Sequence, residues 1–253
     1  MANGKGVTKM PKFLGIIPAR YASSRLPGKP LLEIDGKTML EHVYRRVLLS
    51  DVFFRVIIAT DDKRIYEAAE KFGADVVMTR ADHPNGTSRA AEIAEKIDTD
   101  YVVNIQGDEP MLDPRLLSEL AEGFAADESA DSATACMEIT KEEDIANPNI
   151  VKVVRALNGR ALYFSRSPLP YRRENTGCKI YEHIGIYAYK KDFLMKLITL
   201  PDTPLQQTES LEQLKILEHG YSMAVIPTQY PSQGPNVNTA EDLEEVRKIF
   251  AKK

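Results

Sequence analysis

Short apolar runs alternate with segments of helical periodicity along the first half of the chain. Buried strands are predicted over residues 13–17, 55–59, 74–78 and 101–105. Helices are predicted over residues 38–50, 63–72, 88–97 and 114–125. The repeated alternation of strand and helix predicts an α/β fold, in which helices cover both faces of a mostly parallel sheet.

The second half of the chain is less regular. Strands, some of them antiparallel, are predicted over residues 151–154, 161–164, 184–189 and 223–226, and helices over residues 192–199, 209–219 and 239–251. Pro168, Pro170 and Gly177 predict a long exposed excursion over residues 166–182 that serves substrate binding, dimerisation or both. We expect a flexible start at residues 1–11 and one domain over residues 12–253, with this excursion as part of an elaboration near residues 150–190.

Composition narrows the class of protein. The 253 residues carry a formal net charge of -4, which argues against a dedicated nucleic-acid binder. No apolar run reaches membrane-spanning length, and the first twelve residues lack the apolar region of a signal peptide. Cys136 and Cys178 form no metal or redox motif and fit thiols in a reducing compartment. We therefore expect a cytoplasmic protein.

A basic loop follows the first predicted strand. Residues 16–31 read IIPARYASSRLPGKPL and place Arg20, Arg25 and Lys29 between prolines and a glycine. Cations on a stiff loop at the end of a strand suit a polyanion, because open α/β sheets bind ligands at that edge. The alternative is a solvated basic turn. A Walker A loop is excluded, since Leu31 occupies the position of its first glycine.

An acidic segment follows the predicted strand at residues 101–105. It reads QGDEP over residues 106–110. Asp108 could hold a Mg²⁺ ion that also binds a phosphate, because Mg²⁺ commonly takes one or two carboxylates and completes its shell with phosphate oxygens and water. A turn closed by Pro110 explains the pattern equally well.

These motifs together carry a family resemblance. With ATDD at 59–62, NGT at 85–87, YFSRSPLPY at 163–171, HIGIYAY at 183–189 and ESLEQL at 209–214, the chain resembles the 3-deoxy-D-manno-octulosonate (Kdo) cytidylyltransferases from about residue 12 onward. The resemblance implies a three-layer α/β/α nucleotide-sugar transferase (Rossmann-like) fold with a mostly parallel mixed sheet. It also implies a homodimer that uses Mg²⁺ to make CMP-Kdo and pyrophosphate from CTP and Kdo in the cytosol, for lipopolysaccharide synthesis.

The resemblance also implies roles for individual residues. Arg20, Ser23, Arg25 and Lys29 would hold the triphosphate, and Asp108 would bind the magnesium ion. Substrate-binding roles fall on Thr60, Asn85 and Gly86, and Gln106 would meet the sugar. The sugar pocket would be lined by Arg166, His183, Tyr187 and Glu212, with Glu209 nearby. Spacing alone also allows His183 and Tyr187 to be core residues.

The sequence departs from the family at two positions. Asn238 stands where the family carries the aspartate that is its second magnesium ligand, and Ser88 stands where an acid is favoured. The expected reaction is attack of the anomeric hydroxyl of the sugar on the α-phosphorus of CTP, with no general base assigned. Alternatives are a cytidylyltransferase for another acid sugar, such as 8-amino-Kdo or a sialic acid, and a CTP-binding homologue without activity. The Kdo-type stretches disfavour sialic acid.

Overall fold

A mixed sheet of nine strands forms the centre of the protein in a computed structural model, which describes residues 11–22 and 26–252. A two-stranded hairpin, β2–β3, lies beside it. The strands in chain order are β1 Phe13–Ala19, β2 Glu33–Ile34, β3 Lys37–Thr38, β4 Phe53–Thr60, β5 Val76–Met78, β6 Tyr101–Asn104, β7 Ser132–Glu138, β8 Lys152–Arg155, β9 Ala161–Ser165, β10 Tyr181–Lys190 and β11 Met223–Pro227.

The order across the sheet is β11-β7-β10-β6-β1-β4-β5, with β8 and β9 attached beyond β10. Strand β1 pairs in parallel with β4 and β6, β4 with β5, and β11 with β7. Strand β10 is antiparallel to β6, β7 and β8. The mixed sheet predicted from the sequence is thereby confirmed, and its antiparallel part comes from the second half of the chain.

Nine α-helices lie within the described residues. They are α1 Met39–Val47, α2 Lys63–Lys71, α3 Gly86–Glu95, α4 Pro114–Ala125, α5 Glu142–Ala146, α6 Lys191–Leu197, α7 Pro204–Glu209, α8 Gln213–Glu218 and α9 Ala240–Phe250. Helix α4 begins and ends where predicted, because the Asp113 side chain caps it and Pro114 occupies its first position. None of these helices is long and apolar enough to cross a membrane.

Two apolar cores, one on each face of the sheet, produce the three layers. Ile17 and Val103 pack with helices α1 and α4, whereas their neighbours Ile16 and Val102 pack with α3, α6 and α8. Successive strand residues point to opposite faces, so both faces of the central strands must be apolar to be buried. This arrangement confirms the α/β/α prediction.

Two predictions about elements were wrong. The helix predicted over residues 209–219 begins only at Gln213, as α8, because Ser210 adopts a left-handed conformation with φ of 51° that ends the preceding helix α7 at Glu209. Strand β7 was not predicted at all. Its sequence, SATACME, has small side chains and buried hydroxyls instead of the large apolar residues that signal a strand. Residues 167–179, within the predicted excursion, form no helix or strand and are mostly exposed.

Candidate active site

The predicted phosphate loop and the acidic segment meet at one edge of the sheet. Strands β1 and β6 are parallel neighbours, so their carboxyl ends lie side by side. Arg20 follows β1 directly, and Gln106 and Asp108 follow β6. Gly107 permits the close approach, since a side-chain carbon there would lie 3.3 Å from the carbonyl oxygen of Pro18. The edge of the sheet is the place where α/β folds bind ligands.

The loop after β1 closes on itself. The Gly28 amide donates a hydrogen bond to the Tyr21 carbonyl at 3.0 Å. Gly28 has φ of 69°, and a side-chain carbon there would lie 3.1 Å from the Tyr21 ring, so only glycine fits this turn. Two residues with predicted roles, Ser23 and Arg25, lie outside the described residues.

Lys29 and Asp108 form a partly buried ion pair. The Lys29 Nζ atom lies 2.7 Å from Asp108 Oδ2 and also donates to the Val237 carbonyl at 2.9 Å. The Val237 amide in turn donates to the Asp108 carbonyl at 2.9 Å. These bonds bring together three segments that are far apart in the sequence and place Asn238 beside Asp108.

A cavity of about 280 Å³ opens above this ion pair, and we call it the phosphate cavity for the role expected of the basic loop. It is lined by Arg20, Lys29, Gln106, Asp108 and Asn238, together with Pro18, Ala19, Ala22, Pro30 and Gly107. One carboxylate and one amide oxygen on its wall fit a Mg²⁺ ion that takes its other ligands from substrate and water. The described residues contain no cluster of three acidic, histidine or cysteine side chains that would hold a metal by themselves.

A second cavity, also of about 280 Å³, adjoins the phosphate cavity, and we call it the nucleoside cavity for the role that the resemblance implies for Asn85 and Gly86. Both residues lie on its wall, together with Gln106 and Glu212, whose predicted role is in sugar binding, and Arg20 lies at its border. The Asn85 side chain caps helix α3 by accepting from the Ser88 amide at 2.9 Å. Gly86 allows α3 to begin close to β1, because a side-chain carbon there would lie 3.3 Å from Pro18.

Two further residues of the nucleoside cavity were not predicted. Arg89 is buried, lies 3.3 Å from the Asp61 carboxylate and donates a hydrogen bond to the Thr79 hydroxyl. His83 lies 2.5 Å from Glu92 through Nε2 and 3.2 Å from the Ser88 hydroxyl through Nδ1. Ser88 thus joins the cap of α3 to His83. Residue spacing in the sequence does not predict a buried role for Arg89, because a charged residue on a helix is ordinarily exposed.

A third cavity, of about 310 Å³, lies on the other side of Gln106, and we call it the acceptor cavity for the sugar-binding role that the resemblance implies for Tyr187 and Glu212. Its wall includes Asn104, Gln106, Asp108, Tyr187 and Glu212, with Gly86, Thr87, Glu109, Gly185, Ser210, Leu211, Gln213 and Asn236. The three cavities form one cleft, because Gln106 lines all of them. Glu212 accepts from the Thr87 hydroxyl at 3.1 Å, and burial raises the pKa of its carboxyl. Burial likewise raises the pKa of Tyr187, whose hydroxyl donates to Gln213 at 3.3 Å.

Glu109 is a buried acid of the acceptor cavity that the sequence analysis did not single out. Its side chain is 3% exposed and hydrogen-bonds Asn236. Burial, with the neighbouring Asp108 carboxylate, raises the pKa of Glu109 to about 8. This burial could not be predicted from the sequence, because Glu109 stands in a polar segment next to another acidic residue, Asp108.

Four predicted substrate-binding residues are not among the described residues that line the three cavities. Arg166 and Glu209 bind each other, with Arg166 Nε 2.9 Å from the Glu209 carbonyl and the Arg166 amide 3.0 Å from the Glu209 carboxylate. His183 contacts the Thr134 hydroxyl at 3.0 Å and the ring of Tyr187, and burial lowers the pKa of His183 to about 3. Thr60 is fully buried and accepts from the Asp62 amide.

Comparison with known proteins identifies the family. The cytidylyltransferase family model matches residues 14–225. The chain is 47% identical over 240 residues to the 3-deoxy-manno-octulosonate cytidylyltransferase of Solibacter usitatus, covering 94% of each protein. It is 48% identical over 236 residues to that of Fusobacterium nucleatum, covering 93% of this chain and 95% of the relative. The chain belongs to the 3-deoxy-manno-octulosonate cytidylyltransferase family.

A solved structure supports the same assignment at the level of the fold. A CMP:2-keto-3-deoxy-manno-octonic acid synthetase in complex with CTP superposes with a TM-score of 0.90 at 44% sequence identity, covering 95% of this chain and 99% of that one. The family model ends at residue 225, so Asn236 and Asn238 lie beyond it. Both residues nevertheless line the cleft of this cytidylyltransferase.

Proposed function

We propose that this cytidylyltransferase transfers CMP from CTP to Kdo, releasing pyrophosphate and supplying CMP-Kdo for lipopolysaccharide synthesis. The observation that carries the proposal is the division of one cleft into phosphate, nucleoside and acceptor cavities that meet at Gln106. Such a cleft holds two substrates with their reacting groups side by side. Alignment of this kind provides much of the rate enhancement in a displacement at phosphorus.

The basic side chains of the phosphate cavity would hold the triphosphate. Arg20 is exposed at its mouth and Lys29 lies on its wall, so both can neutralise the charge that develops on the departing pyrophosphate. Ser23 and Arg25 belong to the same loop and keep their proposed roles there. Lys29 would exchange part of its contact with Asp108 for a phosphate oxygen of CTP.

We assign magnesium binding to Asp108 and Asn238. When bound, Mg²⁺ supplies charge neutralisation at the phosphates and lowers the pKa of a hydroxyl that it ligates. The Asn238 backbone amide donates to the Asp242 carboxylate at 2.8 Å, which fixes the backbone at Asn238 against the start of helix α9. Asn238 offers a neutral oxygen where relatives of this family carry an acid, so it should hold Mg²⁺ less tightly than aspartate would.

Sugar binding is assigned to Gln106, Tyr187 and Glu212 within the acceptor cavity. His183 is linked to this cavity through its contact with Tyr187, whereas Arg166 and Glu209 bind each other outside its lining. In this arrangement Arg166 and Glu209 fix the end of β9, since Glu209 also accepts from the Ser165 hydroxyl at 2.6 Å. Thr60 supports the turn after β4 and would act on the nucleotide through that turn.

Pyrophosphate release tests the proposal. We expect turnover with CTP and Kdo, much less with ATP or GTP, and partial rejection of UTP, because a pocket that hydrogen-bonds cytosine leaves groups unpaired with other bases. Equal turnover with ATP would contradict the assignment. CTP binding without pyrophosphate release in the presence of Kdo, 8-amino-Kdo and sialic acid would indicate a binding homologue instead.

A magnesium titration tests the metal assignment separately. At saturating CTP and Kdo, Asn238→Asp should reach half-maximal rate at a lower Mg²⁺ concentration than the wild-type enzyme, and Asp108→Asn should have almost no activity. An unchanged midpoint in Asn238→Asp would remove residue 238 from the metal site. Asn158→Asp, on the exposed turn between β8 and β9, is a matched control for the added charge.

We also propose that the protein is a homodimer in the cytosol. The exposed residues 167–179 include Tyr171, 89% exposed, and strand β9 nearby exposes 60% of Leu162, which are large apolar surfaces on one elaboration. Sedimentation equilibrium should give twice the monomer mass, and Tyr171→Ser with Leu162→Ser should weaken the association. A monomer at micromolar concentration would contradict this part of the proposal.

A further inference from the structure

The ring of Tyr21, in the loop after β1, contacts the guanidinium of Arg64, in the first turn of helix α2. The Arg64 Cζ atom lies 3.3 Å from the centroid of the ring. The same ring lies so close to Gly28 that a side-chain carbon at that position would approach it to 3.1 Å. Neither Tyr21 nor Arg64 is among the described residues that line the three cavities of the cleft. The contact therefore joins the loop after β1 to a helix outside the cleft.

Arg64 is held in place by Asp62. Its Nε atom donates to Asp62 Oδ1 at 2.9 Å, and its Nη2 atom donates to Asp62 Oδ2 at 2.6 Å. Asp62 is itself fixed, because its carboxylate caps α2 by accepting from the Arg64 amide at 2.9 Å and its own amide donates to the Thr60 hydroxyl at 3.2 Å. Two parallel hydrogen bonds to one carboxylate set the plane of a guanidinium. The Arg64 side chain is consequently a preformed surface on which an aromatic ring can stack.

Tyr21 connects this contact to the residues that would hold the triphosphate. It follows Arg20, which lines both the phosphate and the nucleoside cavities. The Tyr21 carbonyl accepts from the Gly28 amide at 3.0 Å, and Gly28 directly precedes Lys29 on the wall of the phosphate cavity. A restraint on Tyr21 is therefore a restraint on the backbone beside both cationic residues.

We propose that Arg64 is a positioning residue for the nucleotide. By stacking on Tyr21, it keeps the loop after β1 in the arrangement that receives the β- and γ-phosphates of CTP. This inference rests on the proposed function. A loop that occupies its binding arrangement for only a fraction of the time weakens the apparent affinity in proportion to that fraction. CMP has only the α-phosphate, so loss of the stack should weaken the binding of CTP and leave that of CMP almost unchanged.

Calorimetric titration with CTP and with CMP, in the presence of Mg²⁺, tests the proposal. In Arg64→Ala, the Kd for CTP should rise about fivefold, as expected for loss of an exposed cation–π contact, whereas the Kd for CMP should stay within about twofold. Tyr21→Leu removes no charge and should raise the Kd for CTP by a similar factor. The double variant should bind CTP no more weakly than either single variant, because both changes remove the same contact.

Two further variants serve as controls. Tyr21→Phe keeps the ring and should bind CTP within about twofold of the wild-type affinity, which separates stacking from a role of the hydroxyl. Arg45→Ala removes a comparably exposed arginine that pairs with Glu41 on α1, and it should leave both affinities unchanged. If Arg64→Ala fails to fold, the comparison of Tyr21→Leu with Tyr21→Phe carries the test.

Three results would overturn the inference: an unchanged affinity for CTP in Arg64→Ala and Tyr21→Leu, equal losses for CTP and CMP, or additive losses in the double variant. Absence of CTP binding by the wild-type protein would instead contradict the proposed function. Inorganic triphosphate would then still test the stack, since its Kd should also rise about fivefold in Arg64→Ala. Equal or undetectable binding of triphosphate by the two proteins would overturn the inference in that case as well.

Discussion

At the scale of single residues, the ion pair of Lys29 and Asp108 shows how one contact serves both the fold and the site. Lys29 and Asp108 are 17% and 22% exposed, so their charges are partly shielded from water. The same Lys29 ammonium holds the Val237 carbonyl, and with it the segment that carries Asn238. Arg20, on the same loop, is exposed and lies at the mouth of the phosphate cavity.

Lys29→Met and Arg20→Ala should therefore differ in stability although both lose activity. Each should lower kcat/KM by about a hundredfold, as expected for one contact to a developing charge. Lys29→Met should also lower the free energy of unfolding by about 1 kcal/mol, because it leaves Asp108 without its partner. Arg20→Ala should change the free energy of unfolding by less than about 0.5 kcal/mol. Urea unfolding and steady-state kinetics check both, and equal stabilities would show that the pair contributes nothing to the fold.

At the scale of elements, the hairpin of β8 and β9 is held by a buried lysine. The Lys152 side chain is fully buried, and Nζ donates to the carbonyls of Asn147, Ile150 and Arg166 at 2.9, 2.6 and 2.7 Å. All three ammonium donors are used, so the charge is solvated by the backbone. These bonds fix the segment before β8 to Arg166, the residue that follows β9.

Lys152→Met should cost about 3 kcal/mol of unfolding free energy, because it leaves three carbonyls unpaired in a buried position. Lys179→Met is the matched control. Lys179 forms an exposed ion pair with Glu138, and its replacement should change the stability by less than about 0.5 kcal/mol. Hydrogen exchange should accelerate over residues 147–166 in the first variant only. Identical unfolding curves for the two variants would exclude the structural role of Lys152.

The elements also show what a sequence can and cannot predict. Helix α4 was predicted correctly because its start depends on local chemistry at Asp113 and Pro114. Strand β7 was missed because its stability depends on distant partners, such as the bond of the Thr134 hydroxyl to the Ile186 carbonyl at 2.8 Å. The resemblance supplied nine residues of the cleft, among them Lys29, Asp108 and Glu212. The buried Glu109 escaped notice because its burial depends on a distant segment, here the one that carries Asn236.

At the scale of the whole molecule, acid should destabilise the protein through His183. The folded protein keeps its imidazole neutral, with a pKa near 3, whereas the unfolded chain binds a proton below about pH 6.5. Because the unfolded state then holds more protons, stability falls as the pH decreases from 6.5 toward 3. Glu109, Glu182 and Glu212 have raised pKa values and act in the opposite direction above pH 4.5.

Comparison with His183→Gln isolates this effect. Between pH 6.5 and 5, the wild-type protein should lose up to about 1 kcal/mol per pH unit more than the variant. Urea unfolding at pH 7, 6 and 5 measures the difference, and the carboxyl contributions cancel because both proteins share them. Parallel stability curves would mean that His183 takes up a proton as readily in the folded protein as in the unfolded chain.

The residues that line two cavities at once determine which ligands the cleft can bind at the same time. Gly86, Gln106 and Glu212 line both the nucleoside and the acceptor cavities, so CMP-Kdo would occupy both at once. In equilibrium displacement, CMP-Kdo should therefore expel both CTP and Kdo, whereas CMP should expel CTP alone. Retention of Kdo in the presence of CMP-Kdo would contradict this. We therefore expect the enzyme to be inhibited by its own product. Its rate would then depend on how fast the next transferase removes CMP-Kdo.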